Sequence, residues 1–340
     1  MNENKKTNPF KTFITIAVSF AIAAFFMWFA LKGMEFEKIA GYFTKANYFW
    51  VFVAAVFGIL AYWFRAVRWN LLLQPMGYKI SNSNSFWTIS FGYLMNLTIP
   101  RSGELARSTA LFGVEKVPVE KSFGTIILER VVDLICMFGF LGLTLIFKYN
   151  AILSFYEYAN IDINPAKFVI FVLILMVGMV LFFVFKRKLS TISFFAKIIN
   201  FIDGIFYGLT SIFRLKQQRK FWLYTIGIWV SYYFAAYLIC FALPETSGFT
   251  FADGFFIIVV GTLGMMIPAS GGIGAFHFAL KIGIMALFFS MGKNPEEGSE
   301  IGLSYAFISH TMQLVIMLVM GVISIPMLAK ARSKALKSPN

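Results

Sequence analysis

The stretch Ile99-Pro100-Arg101-Ser102-Gly103-Glu104-Leu105-Ala106-Arg107 interrupts an apolar run that extends over residues 86–113. Proline and glycine break a helix here, and each apolar flank is shorter than the roughly 20 residues that span a bilayer. A second apolar run, residues 251–291, is interrupted in the same way by Pro268-Ala269-Ser270-Gly271-Gly272-Ile273-Gly274. We therefore predict two re-entrant helical hairpins, at residues 86–113 and 251–291.

The remaining apolar segments predict helices that cross a membrane. Of the 340 residues, 59% are hydrophobic and only 14% are charged, which is more apolar surface than one soluble core can bury. Six segments are long enough to span a bilayer: residues 13–31, 48–64, 123–147, 168–185, 221–243 and 303–328. The prediction is an all-α polytopic membrane protein with one integral domain at residues 13–328, between a tail at 1–12 and a basic tail at 329–340.

The distribution of Lys and Arg predicts the orientation of the chain. If both hairpins are re-entrant, the loops and tails on one side, among them a loop from Arg65 to Ser85, hold 20 Lys and Arg residues. The opposite loops hold six lysines. Because cytoplasmic loops carry the excess of positive charge, we predict cytoplasmic termini, a location in the plasma (inner) membrane, and hairpins that enter from opposite sides. The net charge of +14 is spread between apolar runs, which indicates contact with anionic lipid and not with nucleic acid.

A further segment, residues 189–215, has an amphipathic pattern. Its apolar residues recur every three or four positions from Ile192 to Phe213, and its end is basic. This spacing predicts a helix that lies in the cytoplasmic interface. A seventh spanning helix is the alternative, because the apolar content of the segment is high.

Charged residues in and after the first hairpin are the first candidates for function, because an ionisable group at membrane depth is costly. They are Arg101, Glu104, Arg107, Glu129, Arg130 and Asp133. Glu104 and Arg107 are three residues apart and can pair on one helix face, and the four-residue spacing of Glu129 and Asp133 also places them on one face. An arginine with spare donors suits a phosphate group. The alternative is that these charges only neutralise one another and lock the hairpin to the next helix.

The second hairpin supplies the other candidates, which are Gly271, Gly272, Gly274, His277 and Lys281. The glycines allow a tight turn and leave backbone N–H groups free at a helix start, which suits an anionic headgroup. The alternatives are close packing of helices through small residues and a hydrogen-bonded core histidine at position 277.

Motifs of soluble enzymes are absent from the sequence. There is no P-loop, no HExxH and no GxSxG motif, and the two cysteines do not form a Cys/His set with metal-ligand spacing. We therefore expect no cofactor, no metal and no ATP site.

The motif P-R-x-G-E-x-x-R, followed by Phe123-Gly124-Thr125 and Leu128-Glu129-Arg130-Val131-Val132-Asp133, resembles the lysylphosphatidylglycerol synthase transmembrane, or flippase-like, family. The resemblance covers nearly the whole chain and includes the second glycine-rich hairpin. It implies a membrane domain linked to the movement of lipids across the bilayer. Some members add a soluble aminoacyl-transferase domain that charges phosphatidylglycerol, but we expect none here, because only residues 329–340 follow the last helix.

The sequence therefore predicts an integral membrane lipid transporter of flippase-like type. Its expected substrate is a lipid with a phosphate-bearing headgroup, either an anionic phospholipid or a polyprenyl-phosphate-linked lipid. Arg101 and Arg107 would bind the phosphate, the neighbouring charged residues would orient them, and the second hairpin with Lys281 would line the opposite side. Two alternatives are a membrane-embedded transferase with Glu104 or Glu129 as base and a non-catalytic membrane subunit that serves a separate lipid synthase. The sequence leaves open whether the chain forms a homo-oligomer.

Overall fold

The computed structural model of the protein describes residues 9–99, 102–159, 199, 212 and 215–337. The described residues form eleven α-helices, joined by turns and short 3-10 segments. Their bounds are α1 Pro9–Leu31, α2 Phe36–Lys45, α3 Tyr48–Leu73, α4 Asn82–Thr98, α5 Gly103–Glu115, α6 Val119–Phe147, α7 Tyr149–Tyr158, α8 Gln218–Tyr237, α9 Phe251–Met266, α10 Ala275–Ser290 and α11 Pro295–Lys337.

The prediction of an all-α polytopic membrane protein is confirmed. Within the described residues, five helical segments are long and apolar enough to cross a membrane, and these are Tyr48–Met76, Val119–Phe147, Gln218–Ala242, Ser270–Ser290 and Pro295–Leu336. The number of spans remains a prediction. The predicted span at 168–185 lies outside the described residues, and so does the predicted interfacial helix at 189–215 apart from positions 199, 212 and 215.

Each predicted hairpin corresponds to two helices separated by a break. In the first, α4 ends at Thr98 and α5 begins at Gly103. In the second, α9 ends at Met266 and continuous α-helix resumes at Ala275, because the glycines at 271, 272 and 274 all have positive φ. With 16 residues, α9 and α10 are each about 24 Å long, which is shorter than the roughly 30 Å hydrocarbon core. The segment Ser270–Ser290 reaches a spanning length only if this break is counted as helix.

The helix that starts at Tyr48 continues to Leu73, past its predicted end at Phe64. The prediction that a cytoplasmic loop begins at Arg65 is therefore wrong. Arg65 and Arg68 are buried inside α3, where carboxylates of another helix compensate their charge. The 18 remaining Lys and Arg residues on the predicted cytoplasmic side still outnumber the six opposite lysines, so the predicted orientation does not depend on this pair.

Helices α10 and α11 pack closely because glycines lie between them. A Cβ atom at Gly302 of α11 would lie 2.8 Å from the carbonyl oxygen of Leu280 and 3.0 Å from that of Lys281. A Cβ atom at Gly298 would lie 2.7 Å from Cβ of Phe288. Small residues let membrane helices approach backbone to backbone. Leu280 and Phe288 also belong to the apolar core that α10 and α11 share with α9 and α3.

This contact generates a prediction about stability. Gly302→Val should lower the melting temperature of the detergent-solubilised protein, because the new side chain meets backbone carbonyl atoms that cannot move aside; overpacking of this kind costs about 1–3 kcal/mol. Gly142→Val in α6 is the matched control, because a Cβ atom at Gly142 has no described neighbour within 4 Å. Equal melting temperatures for the two variants would contradict the packing described for α10 and α11.

Candidate functional site

Helices α3 and α6 are joined by buried ion pairs. Arg68 Nη2 donates to Asp133 Oδ1 at 2.9 Å and lies 3.5 Å from Glu129 Oε1. Arg65 Nη2 donates to the other oxygen of Asp133 at 3.0 Å and to the Tyr232 hydroxyl of α8, also at 3.0 Å. The two arginines are three residues apart and the two acids four apart, so each pair occupies one face of its helix. Asp133 is thus held by two guanidinium groups.

The first hairpin attaches to the same cluster through Arg107 of α5. Its Nη2 lies 2.8 Å from Glu129 Oε2, although the two atoms are not aligned for a hydrogen bond. The guanidinium carbon stands 3.6 Å from the centre of the Trp69 ring, within cation–π range. Trp69 is fixed in turn, because its Nε1 donates to the Thr125 hydroxyl at 2.8 Å. Glu129 is therefore in contact with two arginines, Arg68 of α3 and Arg107 of α5.

A second, more exposed ion pair joins α5 to α6. Arg130 Nη2 donates to Glu104 Oε1 at 2.9 Å, and both side chains retain exposure, 47% for Arg130 and 27% for Glu104. The prediction that Glu104 and Arg107 pair with each other is wrong. Each pairs with α6 instead, because the neighbouring helix presents Glu129 and Arg130 at adjacent positions.

The buried cluster has an excess of positive charge. Among the described residues, three buried guanidinium groups (Arg65, Arg68 and Arg107) face two carboxylates (Glu129 and Asp133). Several of their N–H donors have no hydrogen-bond partner within the described part of the chain, namely Nε of all three arginines and Nη1 of Arg65. An excess of buried positive charge is unfavourable, so the arrangement has the capacity to accept one further anion.

A cleft lies beside Arg107 between α4, α5 and α6. The residues that line it are Ile89, Gly92, Tyr93, Asn96, Gly103, Glu104, Arg107 and Arg130. Its volume of about 20 Å³ is enough for about one water molecule. A phosphate group needs more room than this.

The turn between α4 and α5 is held by hydrogen bonds to α4. Asn96 Oδ1 accepts from the backbone N–H of Gly103 at 2.7 Å, and the Ser102 hydroxyl donates to the carbonyl of Met95 at 3.0 Å. Gly103 is required here, because a Cβ atom at this position would overlap the carbonyl oxygen of Gly92 and the amide of Asn96. Arg101, a predicted phosphate ligand, lies outside the described residues.

The tip of the second hairpin meets the end of α4. The Ser270 hydroxyl donates to the carbonyl of Leu97 at 3.3 Å, and a Cβ atom at Gly271 would lie 3.4 Å from the Leu97 side chain. Gly272 packs against Met265, and Gly274 packs against the carbonyl of Ala23 in α1. The second helix break is therefore in contact with the last turn of α4, which precedes the first break.

The remaining predicted residues of the second hairpin lie deeper in the structure. His277 is buried, its Nδ1 accepts from the N–H of Gly274 at 3.3 Å, and its ring centre is 4.9 Å from that of His310. Lys281 Nζ donates to the carbonyl of Ala30 at 2.9 Å, at the C-terminal end of α1. Neither residue lines the cleft beside Arg107.

The sequence interpretation missed Arg65, Arg68 and their polar neighbours. The signal was available: both arginines lie within the apolar stretch from Tyr62 to Leu73, and their spacing of three places them on one helical face. Because both arginines were assigned to a cytoplasmic loop, this pattern was not recognised. Tyr232 lies on α8 and carries no comparable local signal, because its partner Arg65 is distant in the sequence.

Comparison with known proteins gives a family. The family model described as "Lysylphosphatidylglycerol synthase TM region" matches residues 16–321. A UPF0104 membrane protein from Methanocaldococcus jannaschii is 26% identical over 126 residues, which is 36% of this chain and 36% of that protein. The chain thus matches little more than a third of this relative's length. No solved structure gives a significant match. Because the family model extends from α1 into α11, the chain belongs to the lysylphosphatidylglycerol synthase transmembrane-region family, as its motifs predicted.

Proposed function

We propose that this protein binds the phosphate of a lipid headgroup at Arg107 and moves that lipid across the membrane. The observation that carries the proposal is the excess of one guanidinium group over the carboxylates in the buried cluster of α3, α5 and α6. A phosphate diester carries one negative charge, so it would neutralise this excess. Arginine is well shaped for the task, since its planar fork pairs with phosphate oxygens through two parallel hydrogen bonds.

The cleft supports the same proposal. Of the three buried arginines in the cluster, Arg107 is the one that also lines the cleft. Its Nε has no hydrogen-bond partner among the described residues. Arg101 precedes α5 and, as a proposed second ligand, would approach the phosphate from the turn. Glu104, Arg130, Glu129 and Asp133 would orient the arginines. The described residues that line the cleft include none of the second hairpin, so the proposal assigns the phosphate to the first hairpin and its neighbouring helix.

The substrate class follows from the charge and from the surroundings. A group that reaches a cleft inside a polytopic membrane protein arrives most readily from the lipid phase. The proposed substrates are an anionic phospholipid and a polyprenyl-phosphate-linked lipid, which share the phosphate that Arg107 would bind. We also propose that the protein resides in the plasma membrane with both termini in the cytoplasm, as the distribution of Lys and Arg favours.

The transferase alternative receives less support from the geometry. A general base needs a carboxylate oxygen that is free to take a proton. Both oxygens of Glu129 lie beside guanidinium groups, and Glu104 accepts from Arg130. Glu104 is thus occupied as an acceptor, and the carboxylate of Glu129 is enclosed by the guanidinium groups of Arg68 and Arg107. Analysis of lipids by mass spectrometry after incubation with the protein would separate the two functions, since a transferase alters the lipid and a transporter does not.

Arg107→Gln should slow lipid movement by at least about tenfold in reconstituted vesicles, which corresponds to about 1.4 kcal/mol. The loss is expected because hydrogen bonds between charged groups contribute roughly 1.5–3 kcal/mol. Arg107→Lys should give an intermediate rate, since it keeps the charge but loses the fork. The measurement is the transfer of a fluorescent phosphatidylglycerol, and separately of a labelled polyprenyl phosphate, between the vesicle leaflets.

Arg332→Gln is the control for this experiment, because Arg332 is an exposed arginine near the end of α11. It should move lipid at the wild-type rate. Elution from a sizing column should show that Arg107→Gln is folded, since Glu129 keeps its contact with Arg68. Wild-type rates in folded Arg107→Gln, or wild-type protein no faster than empty vesicles for both lipids, would refute the proposal.

The proposed orientation is tested by labelling single cysteines. In a background without Cys136 and Cys240, Lys293→Cys should react with a membrane-impermeant maleimide in intact cells. Lys121→Cys should react only after the cells are permeabilised. Both lysines are exposed, so access to the reagent depends on the side of the membrane. Labelling of both positions from the same side would overturn the opposite entry of the two hairpins.

A further inference from the structure

The two histidines of the chain lie side by side at the second hairpin. His277 is on α10 and His310 is on α11, and their ring centres are 4.9 Å apart. Both are buried, with 4% exposure for His277 and 1% for His310. Phe276 and Phe307 pack against them, with ring-centre distances of 5.0 Å (Phe276 to His310) and 4.4 Å (Phe307 to His277). The proposed lipid-binding site does not account for a pair of buried titratable groups at this position.

Backbone hydrogen bonds fix the state of both rings. His310 Nε2 lies 2.9 Å from the carbonyl oxygen of Gly271, which can only accept, so Nε2 carries a proton. His277 Nδ1 accepts from the N–H of Gly274, so in the neutral ring the proton is on Nε2. His310 Nδ1 has no hydrogen-bond partner among the described residues. This nitrogen can take a proton without breaking a bond, whereas His277 would have to give up its contact with Gly274.

The charged groups on the surrounding helices are engaged elsewhere. On α10, Lys281 donates to the carbonyl of Ala30, and on α11, Glu300 pairs with Lys38 of α2 at 3.1 Å. On α9, Asp253 pairs with Lys148 at 2.6 Å. Arg65 and Arg68 of α3 and Arg107 of α5 pair with the carboxylates of α6. Helix α4 contains no Asp, Glu, Lys, Arg or His, and the ionisable residue of α1 is Lys11, near its start. A protonated His310 would therefore lack a carboxylate partner in the described structure, and the adjacent His277 would disfavour a second proton.

We propose that His277 and His310 form a site that binds one proton, at His310 Nδ1, and that proton binding loosens the contact between the two hairpin tips. A buried imidazolium without a counter-charge is unfavourable, so the charged form favours a state in which water reaches the ring. The His310 ring is hydrogen-bonded to the carbonyl of Gly271. The neighbouring residue, Ser270, donates a hydrogen bond to the carbonyl of Leu97 in the first hairpin. Both rings are neutral when the hairpin tips are packed together. Because acid favours the protonated ring, the packed arrangement of the tips becomes less stable as the pH falls.

This inference does not depend on lipid binding, and its first test is direct because the chain has two histidines. The full chain is labelled with ¹⁵N-histidine, purified with a tag that lacks histidine, and placed in phosphatidylcholine nanodiscs. At pH 8 both rings should show a protonated Nε2 and an unprotonated Nδ1. Between pH 8 and pH 5 one ring should gain a second proton. In His310→Gln, which keeps an N–H donor for Gly271, the remaining ring should stay neutral over this range.

The second measurement follows the hairpin tips themselves. Spin labels at Thr98→Cys and Leu263→Cys, both exposed positions on separate hairpins, report the distance between them in a background without the native cysteines. Acidification should add a longer-distance population in the otherwise wild-type protein and none in His310→Gln. Rings that stay neutral down to pH 5 would overturn the proton site. Protonation without a change of distance, or the same change in His310→Gln, would overturn its link to the hairpins.

Discussion

The buried ion cluster between α3, α5 and α6 is the interaction on which the proposed function depends. A charge at membrane depth costs at least about 2.5 kcal/mol, so arginines in this position persist only where carboxylates or a ligand meet them. Asp133 fixes Arg65 and Arg68 on one side, and Glu129 connects Arg68 to Arg107 on the other. The first hairpin is therefore attached to the membrane domain by an ion pair in addition to apolar contacts. An attachment of this kind can respond to an incoming anion, which purely apolar packing cannot.

The two helix breaks are tolerated because their backbone groups find partners inside the protein. Away from water, an unpaired N–H or carbonyl group is strongly unfavourable. In the first break Asn96 accepts from Gly103, and in the second His310 donates to the carbonyl of Gly271. The hydrogen bond from the Ser270 hydroxyl to the carbonyl of Leu97 then joins the second break to the last turn of α4.

Much of the fold could be predicted from local patterns, but the partners within the site could not. Proline and glycine within apolar runs located both helix breaks, because these residues interrupt helices in any context. The spacing of Glu129 and Asp133 predicted one charged face on α6. In the structure, arginines of the neighbouring helices α3 and α5 pack against that face. The identity of those arginines depends on packing between distant segments. Arg65 and Arg68 were assigned to a loop because the charge rule counts basic residues without knowing which are buried. The contact of Lys281 with the carbonyl of Ala30 also had no signal in the sequence, because the two residues lie in distant segments.

The geometry of Arg107 indicates how a lipid could bind and leave without an unpaired buried charge. The cleft holds only about one water molecule in the described conformation, so the proposed mechanism includes a shift of α5 before a phosphate enters. The outer pair of Glu104 and Arg130 resists this shift weakly, since half-exposed ion pairs contribute about 0–1 kcal/mol. Arg107 and Glu129 are close but poorly aligned, so their pair is easier to exchange than the aligned pair of Arg68 and Asp133. In the proposed mechanism, phosphate replaces Glu129 at Arg107 on entry and Glu129 replaces phosphate on release. Arg107 is then paired in both end states, while Arg68 holds Glu129 in place for its return.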